Sequence, residues 1–225
     1  MSIKISIKKA ISPKLVKNYV LFCDENFKIN GLNNLSIKNQ SSNINKATNI
    51  DKSDKKDFLI FNINSIQKII LIKIKKNFST VDNEKVGAKF FDFIKSNSIF
   101  DLSLFNNNIK ATSQKNNNFL DEFLHGVQLK SYVFKKYKSK KDNEIHKFDI
   151  SSEKKLMSYN NNKRYNSLIE GINFTKDLVS EPGNILHPDE YAKRLKQLKK
   201  FGLKVVIYDQ TKLKKLGMNA LLGVG

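Results

Sequence analysis

A chain of 225 residues with 40% hydrophobic side chains can bury one sizeable core, or one core and the beginning of a second. Its formal charge of +20 is evenly spread, with 29 basic and 15 acidic side chains in residues 1–162 and 12 and 6 in residues 163–225, so no basic arm exists. Only Arg164 and Arg194 are guanidinium groups, whereas base reading and bidentate phosphate clamping favour Arg, so the charge reads as a solvated Lys surface ahead of a nucleic-acid surface.

The opening "MSIKISIKKAISPK" has no apolar core of the kind a secretory signal needs, and the alternation of Ile3, Ile5 and Ile7 predicts a strand. Further strands are expected at Tyr19 to Cys23, Leu35 to Lys38, Phe58 to Ile63, Ile69 to Ile74 and Ile99 to Phe105. The single Cys23 has no disulfide partner and no His or Cys neighbour, so it reads as a small buried residue. The runs at 58–63 and 69–74 are apolar on both alternating faces, which predicts central strands covered on both sides. The longest such run, "IILI" at 69–72, is far short of the ~20 residues that span a bilayer, so no membrane partner is expected. In "DNEKVGAKFFDFIKSN" the residues Val86, Phe90, Phe93 and Ile94 recur at helical spacing behind an Asp82 or Asn83 cap. Strand, helix and strand in that order form a βαβ unit with parallel strands, predicting an α/β sandwich of mixed sheet and flanking helices.

Residues 39–56 and 106–118 are too polar to bury and are expected as surface loops. A helix is predicted from Phe119 to about Phe134, with Leu120, Phe123, Leu124 and Val127 on one face, and a short strand from Ile145 to Ile150. These elements define one compact domain over residues 1–150.

Within 151–225, "RYNSLIEGINFTKDLVS" is helical and apolar on more than one side through Leu168, Ile169, Ile172, Phe174, Leu178 and Val179, which predicts a linker helix packed between two bodies. Pro182 and Gly183 end it, the glycine by tolerating a positive φ. Pro188 opens the next helix behind His187, Asp189 and Glu190 suit its positive end, and Gly202 stops it. That helix is expected to expose Lys193, Lys196 and Lys199 and to bury Tyr191, Ala192, Leu195 and Leu198. A strand "LKVVIYD", a short helix "TKLKKLGM" and the closing "NALLGVG" follow.

No chemistry-bearing constellation emerges from the spacings. His125, His146 and His187 lie more than 20 residues apart and belong to no HxxxH or Cys/His cluster; His187 reads as a helix cap. The pairs Asp24-Glu25, Asp121-Glu122 and Asp189-Glu190 diverge from a helix face as neighbours must, and read as solvated charges. Gly31, Gly87, Gly126 and Gly171 stand alone, so the first domain has no Gly-rich phosphate cradle. Catalytic, cofactor-binding and metal-binding residues are therefore all expected to be none in this chain.

From Asn173 onward the sequence "NFTKDLVSEPGNILHPDEYAKRLKQLKKFGLKVVIYDQTKLKKLGMNALLGVG" resembles the leucyl aminopeptidases, or cytosol aminopeptidases, where their N-terminal domain joins the catalytic domain. The resemblance runs through Asp177-Leu178-Val179, Glu181-Pro182-Gly183-Asn184, Pro188, Gly202, Leu216-Gly217-Met218 and Gly223-Val224-Gly225, with Gly126 to Lys141 resembling the helix end before the joint. His187 departs from the family's usual Thr or Ser. The resemblance implies a macro-like α/β domain at 1–150, followed at 151–225 by the linker helix and the truncated beginning of the metallopeptidase domain. It implies a cytoplasmic homohexamer that releases N-terminal residues, Leu among them, from peptides in protein turnover, using two divalent cations, Mn or Zn. The family's metal ligands lie downstream of "LLGVG", so the 225 residues alone are expected to bind neither cation and to be inactive. The rival reading is a non-catalytic binding or assembly module, nucleic-acid binding through its Lys-rich surface.

Overall fold

The structure is a computed structural model that describes residues 3–8, 16–29, 42, 56–75, 77–105, 118–139, 145–151 and 163–224. It divides into two compact units, Met1–Glu170 and Gly171–Gly225. The first unit holds strands β1 (Ile3–Lys8), β2 (Asn18–Cys23), β3 (Phe58–Asn62) and β4 (Lys68–Lys73), helix α1 (Thr80–Ser96), β5 (Asp101–Phe105), helix α2 (Phe119–Lys130) and β6 (His146–Ser151). Helix α3 (Lys163–Ser180) carries the boundary, and α4 (Pro188–Lys196), a 3₁₀ segment (Gln197–Phe201), α5 (Gln210–Lys215) and α6 (Asn219–Leu222) belong to the second unit.

The six strands make one sheet in the order β1-β6-β5-β2-β4-β3. Every pairing is parallel except β3 with β4, so the sheet is mixed as the sequence predicts. Strands β4 and β5 are parallel across the intervening β2, the arrangement expected of the β4-α1-β5 crossover. β4 is central and its Ile69, Ile70, Leu71 and Ile72 are wholly buried. β3 corrects the expectation of two central strands: it closes the sheet, and only Leu59 along it is fully buried. Its two-faced apolar pattern has a different cause, since Phe58 and Ile60 lean on the core on one side of the sheet and Leu59 and Phe61 on the other. The proposed strand at Leu35 to Lys38 and the polar loops at 39–56 and 106–118 lie, but for residues 42, 56 and 118, outside the described residues.

Helices α1 and α2 cover one face of the sheet. Phe90 and Phe123 meet with ring centroids 5.5 Å apart, and Phe22 from β2 stands edge-on to both Phe119 and Phe123 at 5.3 and 5.5 Å. The cap of α1 is Ser79, three residues before Asp82: the Ser79 hydroxyl accepts from the Asp82 N–H and the Asp82 carboxylate accepts from the Ser79 N–H. The Ser79 hydroxyl, which also donates to the Asp82 carboxylate, and after it the Ser79 N–H hold the Asp82 carboxyl below the usual carboxylate range. α2 stops at Lys130 rather than running to Phe134.

The isolated glycines of this unit have a packing role that their spacing hides. A Cβ on Gly87 would lie 2.0 Å from the Phe123 carbonyl oxygen, and one on Gly126 would lie 1.9 Å from that of Glu84. Each helix thus presents its backbone to the other through one glycine, which lets α1 and α2 cross in direct contact.

In the second unit two expectations are corrected. Residues 203–209 form no strand, because a strand exists only through a hydrogen-bonded neighbour and none pairs with them among the described residues. Tyr191 is 44% exposed, and Ala192, Leu195 and Leu198 are only half-buried. Along α3, Ile169 and Leu178 are buried, whereas Leu168 and Val179, also expected to pack, are 41% and 81% exposed. The stop at Gly202 holds, with the glycine left-handed at φ +83°, while Gly183 adopts no positive φ.

Candidate functional site

The turn that interrupts α3 and α4 is tightly specified. Pro182 cannot extend the ladder of α3, and its carbonyl instead accepts from the N–H groups of Ile185 and Leu186, both at 2.9 Å. Pro188 stands at the first position of α4, where its missing N–H leaves no bond unmade. Arg194, one turn further on, reaches back over this loop. Its Nη1 donates to Glu181 Oε1 at 2.8 Å and its Nε donates to Glu190 Oε1 at 3.0 Å. The Glu181 carboxylate is 2% exposed, so the planar guanidinium pins the first residue of the loop to the second turn of the helix. The hydrogen bond from Arg194 holds the Glu190 carboxyl below its ordinary range, and those from Glu181 and Glu190 raise Arg194 above its own.

The sequence contained one signal for this clamp: Arg194 is one of two arginines in a chain with 41 basic residues, and it lies four positions after Glu190. Glu181 was visible only as part of a motif. His187 occupies the helix N-cap position, as expected, but its side chain makes no capping hydrogen bond. Around it, His187, Asp189, Tyr208, Asp209, Leu213 and Val224 are among the residues that line a groove of about 920 Å³ in the second unit.

The other candidate residues sit in the first unit. His125 is buried against Tyr165, ring centroids 4.9 Å apart, with its Nδ1 2.8 Å from Glu84 Oε1. His146 is buried between Phe91 and Phe100, and its Nδ1 donates to the Ile99 carbonyl at 2.7 Å. Both are core histidines of the first unit, whereas His187 belongs to the second. Asp121 and Glu122 overturn the reading of solvated charges, being 2% and 3% exposed. Glu122 is sustained there by Asn83 Nδ2 at 2.7 Å and the Thr80 hydroxyl at 3.0 Å, donors from the helix that the two glycines bring close. Cys23 is buried as expected, and burial, reinforced by Asp24 and opposed by Lys73, pushes its thiol up to about 12.

Comparison with known proteins places this geometry. The profile of the "Cytosol aminopeptidase family, catalytic domain" matches residues 173–225, the stretch that contains the clamp. A probable cytosol aminopeptidase of Bradyrhizobium sp. is 38% identical over 109 residues, covering 44% of this chain and 21% of that protein. One from Phytoplasma mali is 41% identical over 108 residues, covering 45% of this chain and 22% of its own length. Over residues 173–225 the chain is similar to the catalytic domain of the cytosol aminopeptidases. Its match spans about a fifth of the curated relatives' length. A tomato leucine aminopeptidase mutant shares its fold over 96% of this chain and 46% of its own, with a TM-score of 0.70 at 17% identity. The bottromycin maturation enzyme BotP in complex with Mn aligns over 90% of this chain and 40% of its own, with a TM-score of 0.62 at 11% identity.

A pair of divalent cations, which the family resemblance implies, does not fit the described side chains. Glu181 and Glu190 are engaged by Arg194, Glu122 by Asn83 and Thr80, and Asp149 by Lys8. Among the described residues no three His, Cys, Asp or Glu side chains converge as a metal site would need. What the joint can do is hold a turn between two helices in one geometry.

Proposed function

We propose that these residues are the N-terminal portion of a cytosolic leucyl aminopeptidase, a two-metal exopeptidase that releases N-terminal amino acids from peptides in protein turnover. In this reading residues 1–150 are a macro-like α/β sandwich, and 151–225 supply the linker helix and the first elements of the catalytic domain. The single observation that carries it is the family match over 173–225, falling on the Glu181-Arg194-Glu190 clamp that fixes the joint. In such an enzyme a bound metal pair, Mn or Zn, would supply Lewis-acid activation of the carbonyl and of water, and the described residues would not be its ligands. The part of this chain is to deliver the start of that domain at a set angle from a rigid turn. Peptide substrates, a homohexameric assembly and a cytoplasmic location belong to the same proposal. No helix among the described residues is long and apolar enough to cross a membrane.

The test is turnover of leucine amide or leucyl-p-nitroanilide with added Mn²⁺ or Zn²⁺. The 225-residue chain is expected to show none. The same chain joined after Gly225 to the remaining catalytic portion of the Phytoplasma mali relative is expected to turn over substrate in a metal-dependent way. Comparable rates from both would place the chemistry inside these 225 residues and overturn the proposal.

A further inference from the structure

The sheet face turned away from α1 and α2 is of two kinds. Across β2, β4 and β3 it is apolar, with Tyr19, Leu21, Ile69, Leu71 and Leu59 buried. Across β1, β6 and β5 strand alternation turns Ile3, Ile5, Ile7, Phe148, Ile150, Leu102 and Leu104 towards the helices, and leaves polar residues on the other side. These are Lys4, Ser6 and Lys8, then Lys147 and Asp149, then Asp101 and Ser103, and with Lys17 and Leu102 they line a cleft of about 520 Å³.

The strand register sets Lys4 directly opposite Lys147 and Ser6 opposite Asp149. Like charges placed opposite one another on neighbouring strands repel, and a sheet gains nothing from the arrangement by itself. Both carboxylates of the cleft have partners already: Lys8 Nζ is 2.6 Å from Asp149 and Lys17 Nζ is 3.6 Å from Asp101, while the Ser6 hydroxyl also donates to Asp149. Burial would raise the Asp149 carboxyl, but the bonds from Lys8 and Ser6 and the nearby Lys charges outweigh it and hold Asp149 ionised below the usual range. Among the described residues Lys4 and Lys147 make no ion pair. Four lysines against two aspartates leave the cleft with two uncompensated positive charges, side by side, above the buried Ser103 hydroxyl.

We propose that this cleft is a binding site for a small phosphate-bearing dianion, a phosphate monoester or a diphosphate, seated between Lys4 and Lys147. Its volume lies in the range of small-ligand sites, and ammonium groups serve phosphate as point charges where no bidentate geometry is required. A concave site with a fixed excess of two charges suits a compact anion better than a continuous nucleic-acid backbone, which calls for a stripe of cations.

The experiment is calorimetric titration of the 225-residue chain with inorganic diphosphate and, separately, with a phosphate monoester such as glycerol 3-phosphate. Saturable binding is expected, weakened at least tenfold in the double variant Lys4→Gln/Lys147→Gln. The double variant Lys193→Gln/Lys196→Gln, which removes the same charge from outside the cleft, is expected to bind as the parent does. Relieving a repulsive cross-strand pair should leave thermal unfolding unchanged or raised, so a folded variant is available for the comparison. Whichever of the two anions binds more tightly identifies the source. The proposal is overturned if neither anion binds, if both double variants lose affinity equally, or if a single-stranded oligonucleotide binds and diphosphate does not displace it.

Discussion

Residues 1–170 and 171–225 are organised by different physics. In the first unit β2 and β4 bury nearly every side chain, and two apolar clusters fill the two faces of the sheet. In the second, Leu178 is the sole large apolar residue among those described that is buried, and the shape comes from caps, turns and an ion pair instead. Asp209 caps α5 by accepting from the Lys212 N–H at 2.8 Å, Gly202 and Gly217 hold left-handed turns, and Arg194 ties Glu181 to Glu190. The family profile nevertheless falls on the second unit. A core asks for apolar volume in the right period and accepts many residues that supply it, whereas a left-handed turn, a proline start or a guanidinium clamp accepts one or two. The unit with less core is therefore the one whose sequence carries the more specific signature.

The contrast is broken most severely at the glycine contacts. Gly126→Val puts side-chain atoms against the Glu84 backbone, which cannot retreat, and should cost at least about 3 kcal/mol or prevent folding. Gly183→Ala in the other unit meets nothing within 4 Å and should change stability by less than about 0.5 kcal/mol. Urea unfolding followed by circular dichroism checks both, and a Gly126→Val protein of parental stability would show that α1 and α2 do not cross as described. Phe123→Ala, which empties the centre of the ring cluster formed with Phe22, Phe90 and Phe119, should lose about 3 to 5 kcal/mol. Leu221→Ala, at a side chain 55% exposed, should lose less than about 0.5 kcal/mol.

Much of the first unit was legible from side-chain period alone. Ile3, Ile5 and Ile7 alternate because one face of β1 meets the core, and Val86, Phe90 and Ile94 recur because one face of α1 does. Three things escaped that reading. The edge position of β3 is a property of sheet order, which Phe58 and Phe61 do not encode locally. The burial of Asp121 and Glu122 depends on Asn83 and Thr80 from a helix some 40 residues earlier, and that helix comes near only because Gly87 and Gly126 have no side chains. Residues 203–209 have the β-branched content of a strand, but content supplies no hydrogen-bonding neighbour. Of the joint, Pro182, Pro188 and Gly202 were readable as punctuation, while the clamp was not, because an Arg that bonds a Glu 13 positions away leaves no local period.

The clamp gives a prediction of intermediate size. Arg194→Lys retains the charge but not the fork that serves two carboxylates, so amide exchange at residues 182–187 should quicken by at least tenfold. Its pH dependence has a fixed sign. The Glu190 carboxyl is lowered in the folded chain, so its contribution is complete above the ordinary glutamate value of about 4.3 and is lost as the pH falls through the lowered one. Protection factors at 182–187 should stay level from about pH 7 to about pH 5 and fall only below about pH 4. A loss of protection beginning near neutrality would assign the order of this loop to some other group.

The smallest expected effect tests whether local devices do govern the second unit. His187 has the extended backbone of an N-cap, φ −82° and ψ 168°, yet contributes no side-chain bond. His187→Ser offers a hydroxyl that can accept from the N–H of Glu190, the third residue of α4, and should stabilise the helix by about 0.5 to 1 kcal/mol. The gain is limited to that one bond, because the Glu190 carboxylate that would complete a reciprocal box is already held by Arg194. In the first unit the converse change, Ser79→Ala, removes the hydroxyl half of a working box, leaves the backbone N–H to the Asp82 carboxylate, and should lose about 1 kcal/mol. Exchange protection along α4 reads the first change and urea unfolding reads the second. If His187→Ser left α4 unprotected while Ser79→Ala behaved as expected, capping would matter only where a core already holds the helix, and the order of residues 188–196 would have to come from the clamp alone.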